Sequence, residues 1–190
     1  MYKNTFIMIT ILITLLGCGT TTTQRDNTDT SNKQAYSNSG EYALWDYLVP
    51  QQSSTNNYIK TTGSTKQKYQ TRYVKKDNSV IESSSDVPNE KTVYKKGANS
   101  ISVSFLKDSQ PNGHYELHTL VDIGDMVTIK TSSCILKEHY DSFSFQGKKF
   151  EDVIAIECGN TPGYYQKGIG EIGQEQALNT TGRVVQVLSN

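Results

Sequence analysis

The stretch that decides the fold is residues 134–158, CILKEHYDSFSFQGKKFEDVIAIEC. Apolar and polar side chains alternate on both sides of Gln146-Gly147, where the glycine favours a turn. Folding the stretch about Gln146 sets Cys134 opposite Cys158, so the sequence predicts two antiparallel strands joined by a short turn.

This pairing also predicts which side chains share a face. Leu136 falls opposite Ile156, next to the two cysteines. Ile135 falls opposite Glu157 and Lys137 opposite Ala155, on the other side. One face is therefore mainly apolar and the other mixed, as expected of a sheet that buries one side.

Much of the remaining chain alternates in the same way, and no window of ten or more residues has a helical stripe. The predicted turns include Asn112-Gly113 and Gly124-Asp125. We therefore predict an all-β domain, an antiparallel meander that forms a curved sheet, a half-barrel or a sandwich. The other predicted strands are Lys68–Lys75, Ser100–Phe105, Tyr115–Val121, Val127–Ile129, Tyr164–Ile169 and Val184–Leu188.

The segment 41–50, EYALWDYLVP, is the densest aromatic stretch and contains the only tryptophan. We expect Leu44, Trp45 and Leu48 to fill the core, since a lone large aromatic is buried on average. The alternative is an exposed aromatic strip for recognition. Residues 51–66 are polar and are predicted to be a loop.

The N-terminus has the pattern of an export signal. Lys3 precedes an apolar run from Phe6 to Gly17 that is too short to span a bilayer, which needs about 20 apolar residues. Residues 1–17 are therefore predicted to be a signal peptide. An ordinary secreted protein and an uncleaved anchor are the alternatives.

The residues Leu15-Leu16-Gly17-Cys18 resemble the lipobox of bacterial lipoproteins, with Leu16 bulkier than the residue usual there. The resemblance implies cleavage before Cys18 and lipidation of Cys18 with several acyl chains, palmitate among them. It also implies a place in the cell envelope. Gly19 stands where an aspartate would signal inner-membrane retention in Gram-negative bacteria, so the resemblance favours the outer membrane.

The segment after the lipobox has little to bury. Residues 18–40 begin with the cysteine and continue as GTTTTQRDNTDTSNKQAYSNSG, which lacks apolar periodicity. We predict a disordered tether with a root-mean-square length of about 25 Å. Residues 41–190 are then predicted to form a single β-rich domain.

Two cysteines remain once Cys18 is assigned to lipid. An envelope compartment oxidises thiols, and Cys134 and Cys158 are predicted to lie opposite each other. We predict a disulfide between them, with free thiols or an intermolecular bond as alternatives. Closing this loop of 25 residues stabilises a protein by about 3–4 kcal/mol in the chain-entropy model.

Two motifs raise the question of cofactors. Gly168-Ile-Gly170-Glu-Ile-Gly173 matches GxGxxG, but only 17 residues follow, too few for the helix and strand of a dinucleotide site. His114, Glu116 and His118 share one face of a predicted strand and are weak candidates for zinc or copper, with His139 as a further ligand. Their spacing of about 6–7 Å is awkward for one ion. We predict no cofactor and no metal.

Charge and chemistry exclude other classes. The whole chain has 19 basic and 19 acidic residues, and without Lys3 the mature chain has a net charge of −1, so nucleic acid is not an expected partner. Serines lack a Gly-x-Ser-x-Gly context, and no nucleophile, base and orienting group can be nominated together. We therefore expect a protein that is not an enzyme.

The C-terminal half, from Cys134 to Ile172, resembles uncharacterised envelope proteins whose β-sheets wrap as a half-barrel. The resemblance is carried by Phe150-Glu-Asp-Val153 and by Tyr164-Tyr165-Gln-Lys-Gly168-Ile-Gly170-Glu-Ile172. Some of those proteins carry lipids or lipoproteins on the concave face. We expect a lipoprotein with a binding or scaffolding role towards an envelope protein. The alternatives are a carrier or sensor of a hydrophobic ligand and a small envelope enzyme.

Overall fold

The computed structural model describes residues 40–129, 132–178 and 182–189, together with the backbone of Gln34–Tyr36. The predicted signal peptide, Cys18 and most of the predicted tether lie outside the described residues. The strands are β1 Gln34–Tyr36, β2 Tyr42–Ala43, β3 Ser54–Thr62, β4 Thr65–Lys76, β5 Ser79–Ser84, β6 Glu90–Lys96, β7 Ser100–Lys107, β8 Gln110–His118, β9 Leu120–Val121, β10 Met126–Ile129, β11 Ser132–Phe145, β12 Lys148–Cys158, β13 Thr161–Gln166, β14 Gly170–Leu178 and β15 Gly182–Leu188. One short helix, α1, spans Leu44–Leu48.

The sheet is antiparallel throughout and curls until it nearly closes, so the predicted curved sheet is confirmed. Its order is β1-β11-β12-β13-β14-β15-β3-β4-β5-β6-β7-β8, with β10 also paired to β11. Strand β10 lies close to β8, which brings the two ends of the sheet together. The β15–β3 pair joins late and early strands, and β2 and β9 form a separate two-stranded sheet.

Helix α1 plugs the concave side of the sheet. Leu44 is fully buried and Trp45 is 4% exposed, so the predicted core role of this segment is confirmed. They pack with Val80 of β5, Ile101 of β7 and Ile154 of β12. Because these partners come from distant strands, one short helix holds opposite walls of the curved sheet together.

A second apolar cluster lies on the other face of β12. Val153 and Ala155 belong to it, whereas Ile154 and Ile156 point towards α1. Aromatic rings from the end of the β11–β12 hairpin complete this cluster, with the rings of Phe143 and Tyr164 4.5 Å apart. Both faces of β12 are therefore buried from Val153 to Ile156.

The hairpin has the predicted disulfide, but its register differs in detail. Cys134 is bonded to Cys158 and Leu136 is opposite Ile156. However, Ala155 is paired with Glu138 and not with Lys137. The turn is centred between Gln146 and Gly147, since Phe145 pairs with Lys148. The pairs next to the turn are therefore shifted by one residue from those predicted with Gln146 at the centre. A β-bulge at Lys137 absorbs that residue and restores the cysteine pair.

Other predictions were wrong or incomplete. Residues 51–66 are not a loop, since β3 occupies 54–62 and pairs with both β15 and β4. Strands β5 and β6 were not predicted. Asn112-Gly113 is not a turn, because Gly113 pairs with Phe105 inside β8 and the connection is at Asp108-Ser109. The predicted turn at Gly124-Asp125 is confirmed, with the Asp125 amide donating to the Asp122 carbonyl.

Candidate functional site

A cavity of about 350 Å³ lies on the concave side of the sheet, next to α1. This volume is within the range of small-molecule pockets, about 300–1,000 Å³. Its walls come from α1 and from strands on opposite sides of the curve. The lining side chains are Leu48, Tyr73, Glu82, Ser83, Ser84, Val87, Glu90, Lys91, Thr92, Tyr94, Phe105, Leu106, Asn112, Tyr115, Ile129, Tyr165 and Glu171.

Strand pairing explains why one wall is rich in aromatic rings. Tyr73 of β4 is directly opposite Glu82 of β5, which is opposite Thr92 of β6, which is opposite Phe105 of β7. Directly opposed residues point to the same side of a sheet. The ladder therefore places this set of side chains in one row on the concave face.

A neighbouring row continues the aromatic wall. Tyr94 of β6 is opposite Val103 of β7, which is opposite Tyr115 of β8. The rings of Phe105 and Tyr115 lie 5.6 Å apart and are tilted. Tyr165 of β13 enters from the far side of the cavity, opposite Glu171 of β14.

The tyrosine hydroxyls stay protonated in this setting. Burial, with a further contribution from the Glu82 carboxylate, raises the pKa of Tyr94 well above 10. The Tyr94 hydroxyl donates to Glu82 Oε2 over 2.8 Å. Burial also raises the pKa of Tyr165, and there the Glu171 carboxylate is the largest electrostatic contribution. The cavity therefore combines neutral aromatic rings, hydroxyl groups and carboxylates.

The carboxylates inside the cavity are held in place by neighbouring groups. Glu171 Oε1 accepts a hydrogen bond from Gln186 Nε2 over 2.9 Å. At the rim, Glu90 forms an exposed ion pair with Lys107 at 3.7 Å, and Lys91 is exposed. Acidic groups thus lie within the cavity, whereas the rim carries both signs of charge.

A second polar cluster links α1 to the β11–β12 hairpin. Tyr47 donates a hydrogen bond to Asp152 Oδ1 over 2.6 Å, and His139 Nε2 lies 2.9 Å from the same oxygen. Lys167 Nζ lies 3.5 Å from Asp152 Oδ2. The ring of Tyr42 packs against that of His139 in a tilted arrangement, with centroids 5.0 Å apart.

The charge and backbone of Asp152 fit this linking role. Burial opposes its ionisation, but the hydrogen bonds with Tyr47 and His139 outweigh burial and lower the pKa of Asp152 below its usual value. Its φ of 51° is in the left-handed region, which few residues other than glycine, asparagine and aspartate adopt. We did not predict this cluster, although the sequence offered the Glu151-Asp152 doublet and His139, which was considered as a ligand at a different site.

The predicted metal candidates lie on an exposed surface outside the cavity. His114, Glu116 and His118 are exposed on β8, and His114 Nε2 is 3.2 Å from Glu116 Oε1. His139 belongs to the Asp152 cluster and not to this one. Within the described ranges, no group of three or more His, Cys, Asp or Glu side chains could hold a metal ion.

The GxGxxG match is a turn and a strand. Gly168 lies in the turn before β14, and its amide donates to the Asp46 carbonyl of α1 over 2.7 Å. A Cβ on Gly170 would lie 3.3 Å from Pro50, and a Cβ on Gly173 would lie 2.5 Å from Phe145. These glycines thus permit close packing of α1 and of the hairpin end.

No protein-family model, no curated protein and no solved structure matches this chain. Among the helices of the described residues, none has the length and apolar character needed to cross a membrane.

Proposed function

We propose that this protein is a lipid-anchored component of the cell envelope that binds a small ligand in the cavity and does not catalyse a reaction. The cavity is the observation that carries the proposal. A pure scaffold needs a filled core and a flat exposed patch, whereas a carrier or sensor needs a space lined by tyrosine and aliphatic side chains. The space of about 350 Å³ between α1 and the sheet meets the second requirement.

The lining supports a specific site. Tyr94 and Tyr165 present large, stiff side chains with a polar tip, and Leu48 and Ile129 add apolar surface. The Cys134–Cys158 disulfide bridges β11 and β12, close to β10, which supplies Ile129. The disulfide therefore helps to hold this wall of the cavity in place before a ligand enters. A preformed wall favours binding, because little ordering of the protein has to accompany it.

The proposed membrane anchor rests on the resemblance of Leu15-Leu16-Gly17-Cys18 to a lipobox. One acyl chain gives marginal membrane binding, whereas two or more anchor a protein stably. We expect Cys18→Ala to move the protein from the membrane pellet to the soluble fraction. A variant that still pellets with the membrane would contradict the lipid anchor, but it would leave the cavity proposal intact.

Binding is tested by native mass spectrometry of the full protein purified from its own envelope without denaturant, followed by organic extraction. We expect a stoichiometric small-molecule adduct. Thr92→Trp places an indole on the cavity face and should abolish the adduct. Lys95→Trp places the same ring on the exposed opposite face of β6 and should retain it. A clean apo mass for the wild type would contradict the proposed function.

A further inference from the structure

We propose that the ligand of this cavity is a small organic cation, an amine or quaternary ammonium with an apolar body. This inference rests on the proposed function, because it names the ligand class for the same cavity. It is carried by two features together: aromatic rings on several walls, and carboxylates on two separated strands of the curve.

The aromatic rings come from both sides of the cavity. Tyr73, Tyr94, Phe105 and Tyr115 line the wall formed by β4 to β8, and Tyr165 faces them from β13. Ring faces are electrically negative and attract cations, most strongly when water is excluded. Rings on opposite walls allow one cation to contact several of them at once.

The carboxylates add a negative field from two directions. Glu82 lies on β5 and Glu171 on β14, and β15, β3 and β4 separate these strands in the sheet. Both carboxylates contribute to the raised pKa values of Tyr73 and Tyr165, after burial as the main cause, so both act on the same region. A positive charge between them is favoured, and the aromatic rings around them reduce screening by water.

The same charges disfavour the other ligand classes. A phosphate or carboxylate ligand would be repelled by Glu82 and Glu171, which line the cavity, and the one lysine of the lining, Lys91, is exposed at the rim. A purely aliphatic chain would displace water from two carboxylates and could not replace the hydrogen bonds that the water made, which is unfavourable. An organic cation covers the rings and compensates the carboxylates.

The test compares two probes of equal shape, choline and 3,3-dimethylbutan-1-ol, which differ in that only choline is charged. Isothermal titration is performed on the full chain in a maltoside detergent, which carries no charge. We expect choline to bind at least about tenfold more tightly than the alcohol. Glu82→Gln should weaken choline binding about fivefold or more, and the exposed control Glu116→Gln should leave it unchanged.

The native mass spectrum separates the two proposals. If an adduct is present but choline binds no better than the alcohol, or neither binds, the cation inference is overturned and the binding function stands. The same holds if the extracted molecule is neutral or anionic. If the wild type has no adduct, the proposed function fails, and the cation inference, which rests on it, fails with it. An extracted amine or quaternary ammonium would support both.

Discussion

Removing the disulfide is the perturbation whose effect the structure defines best. Cys134 at the start of β11 and Cys158 at the end of β12 are directly opposite, with Cα atoms 4.2 Å apart. The bond closes a loop of 25 residues. In the Cys134→Ala/Cys158→Ala double variant, the strand pairs around the site remain, so the main change is greater freedom of the unfolded chain.

The chain-entropy relation for a loop of this length gives a loss of about 3.5 kcal/mol at 25 °C. For a protein of this size, 1 kcal/mol shifts the melting temperature by about 2–4 °C. We therefore expect the double variant to melt about 7–14 °C below the wild type, with little change in the far-ultraviolet circular dichroism of the folded state.

The assay is thermal unfolding of the full chain followed by circular dichroism, with and without a thiol reductant. Reductant should lower the melting temperature of the wild type to that of the variant, and it should leave the variant unchanged. If the variant melts within about 2 °C of the wild type, the disulfide does not constrain the unfolded chain as argued. If both cysteines react with a thiol label in unfolded protein without reductant, the bond itself is absent.

Two further substitutions test the packing and the polar cluster. Gly173→Ala should lower the free energy of unfolding by about 1–3 kcal/mol, because the added Cβ would collide with Phe145 and with the backbone. In the control Gly40→Ala the added Cβ points into open space, so the free energy should change by less than about 0.5 kcal/mol. Urea unfolding measures both variants, and equal effects would refute the close contact at Gly173. Asp152→Asn keeps a residue that tolerates positive φ but removes the charge. Since the folded-state pKa of Asp152 is lowered, its ionised form stabilises the protein above the usual value of 3.8, and this contribution is lost as the pH falls through the folded pKa. The stability difference between wild type and Asp152→Asn should therefore be present at pH 6 and shrink towards pH 2 in unfolding curves, and a difference that does not change with pH would contradict the role of the charge.

Strands that bury one apolar face and leave the other polar could be predicted from the sequence. In β7, Ile101 and Val103 alternate with serines and are fully buried, and in the hairpin Leu136 and Ile156 behave in the same way. Alternation works at these positions because one side of the strand packs on apolar side chains and the other contacts water.

Two of the strands that line the cavity, β5 and β6, could not be predicted in this way. On β5 and β6, the concave face carries Glu82, Thr92 and Tyr94 beside the cavity, and the residues between them include Val93 and Ile81 on the other face. A wall that surrounds a polar cavity has no apolar stripe. The missing periodicity of these strands is thus a consequence of the site.

The site itself depends on long-range pairing that composition does not encode. Glu82 and Glu171 are far apart in sequence and share a cavity only because β15 pairs with β3 and the sheet curls. The register of the β11–β12 hairpin shows a similar limit. The turn and the bulge at Lys137 each shift the pairing by one residue, and only their combination produces the predicted cysteine pair.

The most direct test of the ligand-binding account is a crystal structure of the protein purified from its own envelope without denaturant. We predict electron density larger than ordered water in the cavity, in contact with the rings of Tyr94 and Tyr165 and near the Glu82 carboxylate. A collapsed cavity would contradict the account. So would a cavity that holds only separate water molecules, if the native mass spectrum of the same protein is also free of adduct.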